Sequence, residues 1–340
     1  MVKLSDKSKI LITICIIGIL SLSIIFSLRN NKIHPTTRTM TMFDTVVTLK
    51  IYDKVSDEVV DGFFELCKEY ELIFDRTNPE SELYKLNQTM AIQKSLEIPI
   101  SQDISQLLQS SMYYSSISNG KFDITIAPIT ALWDFSESTT PPDKNSITNL
   151  LPLVNYKNIE LHPNTITNKT IGIEIEFGGI AKGYISEKLK AYLDDNDVKN
   201  AIINLGGNIV CIGSKPHNEP FTVGIAKPFS SHSDSLAEVK VYDKCISTCG
   251  IYERCYNYDG KFYHHVLDTS TGFPIENTLQ SVTIISDDSI MCDALSTICF
   301  TLDLEEGLKL LEDFPQVQAI FIDQNNELHT TTNLILPESK

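Results

Sequence analysis

Ile175-Glu176-Phe177-Gly178-Gly179-Ile180-Ala181-Lys182-Gly183-Tyr184 is the stretch on which the fold turns. Upstream of it, Thr170 to Phe177 alternates apolar with polar residues, which predicts a strand. Two glycines end that run. Downstream, Ile185, Leu189 and Leu193 recur at the spacing of one helix face, which predicts a helix from Ala181 to about Leu193. A strand, a glycine-rich turn and a helix start leave backbone N–H groups unpaired and let a bulky anion approach the main chain. Lys182 adds a positive charge at that point. The visitor this chemistry fits is a phosphate or diphosphate; an ordinary tight turn is the competing reading.

The chain around it has 340 residues, enough for one large domain or two ordinary ones, and is 42% hydrophobic and 21% charged, as globular proteins are. Its formal net charge of -16 argues against nucleic acid as a partner, because a phosphate backbone needs a basic face. A phosphate-bearing ligand on so acidic a protein calls for a divalent cation to offset the repulsion. Ile10 to Leu28 carries no charge and is long enough to cross a bilayer as a helix. No small-x-small cleavage site follows it, so an uncleaved single-pass anchor with the remainder outside the cytoplasm is preferred over a removed signal peptide. Lys3, Lys7 and Lys9 before it and Arg29, Lys32 and Arg38 after it leave the charge bias undecided. Of the 8 cysteines, Cys15 lies in the apolar run, and the odd number remaining cannot all pair within one chain. Most are expected to be buried small apolar residues, with an oxidised pair such as Cys245–Cys249 as the alternative.

The expected organisation is an anchor over 1–29, a polar tether over 30–40 and one catalytic domain over 41–335. Within that domain, Thr45 to Tyr52 reads as a strand, and Asp57 to Phe74 and Ser101 to Ser118 read as amphipathic helices. Ser81 caps a short helix through Asn87. Ser136 to Asn145 is a surface loop, and short strands fall around Ile159, Ile166 and Ile173. Ala201 to Leu205, Ile209 to Ile212, Phe221 to Ile225, Ala237 to Val241, Cys245 to Thr248, Tyr263 to Leu267 and Leu279 to Ile285 read as further strands. Asp288 to Leu302 and Leu304 to Phe314 read as two helices, and Val317 to Ile322 and Glu327 to Thr331 as a closing strand pair. Helices and strands mix without regular alternation, which makes the fold class α+β.

Three constellations carry chemistry. Asp293 and Thr297 lie four residues apart in a predicted helix, so their oxygens share a face one turn apart. With one backbone carbonyl they make a hard-cation site suited to Mg²⁺; alternatively, Asp293 is an early-turn acid and Thr297 an ordinary half-buried residue. In His264-His265-Val266-Leu267-Asp268-Thr269-Ser270-Thr271-Gly272-Phe273-Pro274, a histidine-bearing strand ends in Asp268 and a turn. Histidine there can bond a phosphate or move a proton, while His264 is read as structural. Gly206-Gly207-Asn208 reads as a hairpin turn.

Taken in order, these residues resemble a family. The motifs are Ser81-Glu82-Leu83 with Leu86-Asn87; Gly120-Lys121-Phe122-Asp123-Ile124-Thr125; Gly178-Gly179-Ile180-Ala181-Lys182-Gly183; Gly206-Gly207; Thr248-Cys249-Gly250; His265-Val266-Leu267-Asp268 with Thr271-Gly272 and Pro274; Ser281-Val282-Thr283; and Asp293-Ala294 with Thr297. This order is similar to that of the ApbE-type FAD:protein FMN transferases, from about Met42 to Thr331. The resemblance implies an ApbE-like α+β fold of mixed sheets with packed helices. It also implies that FAD is the substrate, that FMN is joined through a phosphoester to a Thr or Ser hydroxyl of an acceptor protein, and that AMP leaves.

Carried over by position, the resemblance implies a Mg²⁺ site made by Asp293, Thr297 and the carbonyl of Gly179. Asp293 doubles as the base for the acceptor hydroxyl, and His265 serves with Asp268 at the diphosphate. FAD contacts are expected from Met42, Thr77, Lys121, Phe122, Asp123, Glu176, Lys182 and Ile275. The chain departs from the family where Phe43-Asp44 replaces a glycine, Thr77 an aromatic ring, Glu176 an Asp, and Cys249 a Ser. The expected partners are acceptor flavoprotein subunits of membrane redox complexes, of the sodium-pumping quinone reductase or Rnf type, or secreted flavoproteins. A protein that holds FAD without turnover and a metal-dependent FAD diphosphatase are the alternatives.

Overall fold

Apolar residues at every second strand position need cover on both faces, and that demand organises the molecule. The computed structural model describes residues 34–135, 137–230 and 234–336. The expected anchor helix, Ile10 to Leu28, lies outside them. Among the described residues, no helix is long and apolar enough to cross a membrane. In chain order the strands are β1 (Thr36–Met42), β2 (Thr45–Ile51), β3 (Ile98–Pro99), β4 (Ile159–His162), β5 (Thr165–Asn168), β6 (Ala201–Leu205), β7 (Asn208–Ile212), β8 (Phe221–Ala226), β9 (Ser235–Val241), β10 (Lys244–Gly250), β11 (Cys255–Tyr258), β12 (Lys261–His264), β13 (Leu279–Ser286), β14 (Gln318–Asp323) and β15 (Leu328–Thr330). The helices are α1 (Asp57–Phe74), α2 (Glu82–Ile92), α3 (Gln102–Ile117), α4 (Ala127–Trp133), α5 (Lys144–Leu150), α6 (Ala181–Asp195) and α7 (Ser289–Leu311).

Eight strands form one antiparallel sheet in the order β1-β2-β6-β7-β10-β13-β14-β15. The two-residue period sorts their side chains. Val210, Cys245, Ile284 and Phe321 join the core under α1, α6 and α7. Cys211, Ile246, Ile285, Ile320 and Ile322 face the other way, onto Phe221, Val223, Ile225, Val239 and Val241 of the β8–β9 hairpin. Helices therefore cover one face and a hairpin the other, and β13 is buried along its whole length. A third cluster gathers Ile129, Trp133, Ile147 and Leu267 under the β11–β12 hairpin, with the Trp133 indole donating to the Gly272 carbonyl at 2.8 Å. The α+β class is borne out, as are α1 at its expected bounds and the Ser81 cap, which accepts from Tyr84 N; the structure adds a second cap, Ser101, which accepts from Ile104 N.

The differences have physical causes. Residues 36–40, expected within the polar tether, belong to the edge strand β1, paired from Thr36↔Ile51 to Met42↔Thr45. Its residues are mostly exposed, so no buried face marks it in the sequence. The expected helix break between Leu302 and Leu304 is present as Asp303, at φ 68°, inside α7. The surface loop expected through Asn145 gives way at Lys144 to α5, capped by Asp143.

The strand expected over Thr170 to Phe177 does not form. Ile173, Ile175 and Phe177 are buried with two-residue alternation, so the run is extended, but no strand pairs with it. The side chain of Asn87 takes the place of a neighbour: its Nδ2 donates to Ile175 O and its Oδ1 accepts from Ile175 N, both at 2.8 Å. Glu176 N donates to Ile124 O at 2.9 Å. Asn87→Leu strands a buried N–H and a buried carbonyl, and is expected to cost about 2–4 kcal/mol, read as a fall in the urea midpoint at unchanged slope.

Candidate active site

The glycine turn ends where α6 begins, with Ile180 N and Ala181 N both bonded to Phe177 O. One turn into α6, Gly183 meets α7 at closest approach. A methyl group there would stand 2.4 Å from the Ser289 carbonyl oxygen and 2.9 Å from Asp293 Cβ. That closeness brings Gly183 N to Asp293 Oδ2 at 2.9 Å, while Ser289 Oγ donates to Gly183 O at 2.6 Å. From the sheet, Ser247 Oγ donates to Asp293 Oδ1 at 3.2 Å. Behind Ser247 stands Asn208, with Nδ2 at 3.5 Å from its hydroxyl and Oδ1 buried without a partner.

Asp293 is thus only 4% exposed, and among the described residues no cation pairs with it. A buried carboxylate is ordinarily paired or on a metal. Each of its oxygens accepts one bond and keeps a lone pair. Thr297 follows one turn later. A methyl group on Gly179 would lie 3.2 Å from Thr297 Oγ1 and 3.0 Å from the Phe122 ring, so the glycine turn lies directly against that hydroxyl. A carboxylate, a hydroxyl and a peptide strand, all hard oxygen donors around an uncompensated charge, fit a Mg²⁺-class cation.

Lys182, in the first turn of α6, is close enough to His265 to act on it electrostatically. His265 Nδ1 lies 3.3 Å from the Arg254 carbonyl, so the neutral ring donates from Nδ1 and leaves Nε2 free to accept. Burial, then the neighbouring His264, Arg254 and Lys182, push its pKa down to about 3. His264 is structural, as expected: Nε2 is 3.0 Å from Ile275 O, Nδ1 accepts from Val266 N, and burial lowers its pKa to about 4. A second group forms around half-buried Glu176, with Arg76 Nε at 3.5 Å from Oε2 and Thr130 Oγ1 at 3.2 Å from Oε1. Burial raises the Glu176 carboxyl above its ordinary value, while Arg76, Thr130 and Arg254 pull it back.

The other expected ligand contacts are spread around these two groups. Met42 is buried at the β1–β2 tip, Lys121 is half-buried after α3, and Ile275 N donates to Val266 O. Asp123 is a structural cap: Oδ1 takes Thr125 N and Oγ1, and Oδ2 takes Tyr156 N. Thr77 is exposed and folded back onto Asp75 Oδ1. Sequence reading missed Ser247, Asn208, Arg76 and Arg254 as neighbours of the site. Asn208 was visible only as the end of a hairpin turn, and Ser247 carries no local signal. All seven described cysteines are free, and six of them are buried.

The two depressed histidines have a consequence for stability. Unfolded histidine binds a proton below about pH 6.5, whereas these two stay neutral in the folded chain down to about 4 and 3. Between those limits the unfolded state binds more protons, so this contribution is full above about pH 6.5 and is lost as pH falls. Glu176 and Asp123, whose carboxyls are raised by burial, act in the opposite sense. The difference between two slopes therefore isolates the ring: His265→Gln is expected to lose less melting temperature from pH 7 to pH 5 than the unsubstituted protein.

The ApbE family model matches residues 43–321. A Klebsiella pneumoniae protein named FAD:protein FMN transferase is 30% identical over 285 residues, covering 83% of this chain and 87% of the relative. A Treponema pallidum protein of the same name is 26% identical over 324 residues, 89% of each chain. Among solved structures, the ApbE protein of Thermotoga maritima superposes with a TM-score of 0.79 at 25% identity, covering 88% of this chain and 97% of that one. The flavin transferase ApbE of Vibrio cholerae superposes at 0.77 with 20% identity and the same coverage, a likeness of fold.

Proposed function

The chain belongs to the ApbE family and is a flavin transferase, and we propose that it moves FMN from FAD onto a threonine or serine hydroxyl of an acceptor protein in a Mg²⁺-dependent reaction. The observation that carries the cation is the uncompensated Asp293 carboxylate beside Thr297 and the glycine turn. When bound, Mg²⁺ supplies positive charge against the diphosphate oxygens. The turn from Gly178 and the Lys182 ammonium hold the same diphosphate from the α6 end. Neutral His265, through Nε2, accepts from a water bound to a phosphate oxygen at that end.

Asp293 takes the proton of the acceptor hydroxyl as its oxygen bonds to the FMN phosphorus. The bond from that phosphorus to the bridging oxygen breaks, and AMP leaves with the electron pair. Phosphoryl transfer asks chiefly for placement and charge stabilisation, which fits a site locked by two short helix-to-helix hydrogen bonds. Glu176, Arg76 and Thr130 line the remaining side, where the flavin half is accommodated.

The protein is proposed to be held at the cell membrane by its N-terminal apolar segment, with this domain outside the cytoplasm. Its proposed acceptors are flavoprotein subunits of sodium-pumping quinone reductase or Rnf-type complexes, or secreted flavoproteins. Incubation with FAD, Mg²⁺ and a threonine-containing acceptor, followed by intact mass and AMP assay, tests the reaction. An FMN adduct with matching AMP is expected, and EDTA is expected to stop both. Free FMN and AMP without an adduct would make the protein a diphosphatase, and unaltered FAD a binding protein.

A further inference from the structure

Two polar side chains sit side by side on the helix-facing side of the large sheet. One step beyond the pair Ile246↔Ile209, the register of β10 and β7 sets Ser247 beside Asn208. Ile284 of β13 pairs with Ser247 on its other side. The two-residue period puts Ser247 and Asn208 on the face of Val210, Ile212, Cys245 and Ile284, all members of the core under the helices. Both are buried, Asn208 at 1% and Ser247 at 3% exposure. Polar groups in such surroundings are disfavoured unless hydrogen bonds hold them. Among the described residues, the Asn208 side chain makes one hydrogen bond, from Nδ2 to Ser247 Oγ at 3.5 Å, and its Oδ1 has no partner. One bond of that length does little to offset the burial of an amide. It does direct a proton. With an amide N–H pointing at its oxygen, the Ser247 hydroxyl gives its own hydrogen to Asp293 Oδ1 at 3.2 Å.

The Asp293 carboxylate needs such direction. The terminal torsion of an aspartate is broad and roughly two-fold, so a single hydrogen bond leaves the group free to turn. Gly183 N holds Oδ2 at 2.9 Å from α6, and Ser247 holds Oδ1 from β10. Two bonds from two separate elements fix the carboxylate plane, and with it the lone pair that remains on each oxygen. Resting on the cation site proposed above, we infer that Ser247, oriented by Asn208, is a positioning residue that sets the Asp293 carboxylate for Mg²⁺. It acts through Asp293 rather than on the metal itself. A group bonded to a ligand governs metal affinity because a ligand that turns must be re-ordered whenever the metal binds. The polar pair in the core thereby has a use in the reaction that the packing of the sheet does not supply.

The test is isothermal titration of the metal-stripped full chain with Mg²⁺, beside metal-free melts and the Mg²⁺ dependence of AMP release, for the unsubstituted protein, Ser247→Ala, Ser247→Thr and Asn208→Leu. Ser247→Ala is expected to bind Mg²⁺ about tenfold more weakly and to need about tenfold more Mg²⁺ for half-maximal AMP release, with KM for FAD at saturating Mg²⁺ changed less than about twofold. Ser247→Thr keeps the hydroxyl and should return to within about threefold of the original affinity. Asn208→Leu removes the unpartnered oxygen, so its metal-free melting temperature should be equal or higher while its Mg²⁺ affinity falls about threefold or more. A merely structural pair would give the reverse pattern, with the metal-free melting temperature lowered and the affinity kept. Unchanged Mg²⁺ affinity in whichever of Ser247→Ala and Asn208→Leu folds overturns the inference, as does a folded Ser247→Thr that binds no better than Ser247→Ala. In either case the unsubstituted protein still binds Mg²⁺, and the cation site stands. An unsubstituted protein that binds no Mg²⁺ overturns the cation site, and the inference with it.

Discussion

Asp293→Asn is expected to lower FMN transfer by about a thousandfold or more while leaving the melting temperature equal or higher. The two halves of that expectation come from the same geometry. The carboxylate is buried, receives Gly183 N and Ser247 Oγ, and has no cation beside it among the described residues. An unpaired buried charge costs several kcal/mol of desolvation, and two neutral hydrogen bonds offset only part of that. The amide keeps an oxygen for Gly183 N, and the Ser247 hydroxyl can rotate to accept from the new NH₂. Folding therefore loses little and sheds a cost. Catalysis loses the charge that a cation and a transferring proton both need. Intact mass of the acceptor reads the first effect and a thermal melt the second. Transfer at the original rate would remove Asp293 from the chemistry; transfer lost together with the fold would make it a structural group.

How far the sequence discloses this site depends on the range of each interaction. Helix α1 was legible because Val60, Phe63, Phe64, Cys67, Tyr70 and Phe74 are buried at helical spacing, and the Ser81 cap because capping is local. Asp293 and Thr297 were legible as a pair because one helix carries both. The extended run at Ile175 was legible as two-residue alternation but not as something other than a strand. Its bonding partner is a side chain on α2, far along the chain, and a one-dimensional pattern does not distinguish an asparagine amide from a neighbouring strand. Asp123 shows the converse. It lies in one of the motifs on which the resemblance to the family rests, yet its carboxylate is spent on Thr125 and Tyr156, so the residue builds the turn. Ser247 is a serine among strand residues, and only the meeting of β10 with α7 gives it meaning.

Gly183→Ala is expected to destabilise the protein by about 3 kcal/mol and to cut transfer about a hundredfold in the fraction that remains folded. Alanine is the better helix former by about 1 kcal/mol, so propensity alone would favour the change. Contact opposes it. The added methyl would stand 2.4 Å from the Ser289 carbonyl oxygen, 2.8 Å from Ile290 Cα and 2.9 Å from Asp293 Cβ. The first two are backbone atoms of α7, so no rotamer change relieves the overlap. The helices must part instead, and parting stretches Gly183 N to Asp293 Oδ2 and Ser289 Oγ to Gly183 O. The overlap and the two loosened hydrogen bonds outweigh the gain in propensity. The same separation draws Lys182 and the glycine turn, carried on α6, away from Asp293 and Thr297, carried on α7. Urea unfolding measures the first effect, and single-turnover AMP release, normalised to folded protein, the second. A variant as stable and as fast as the unsubstituted chain would mean that the helices tolerate greater separation, and that the register between glycine turn and acidic helix does not govern the site.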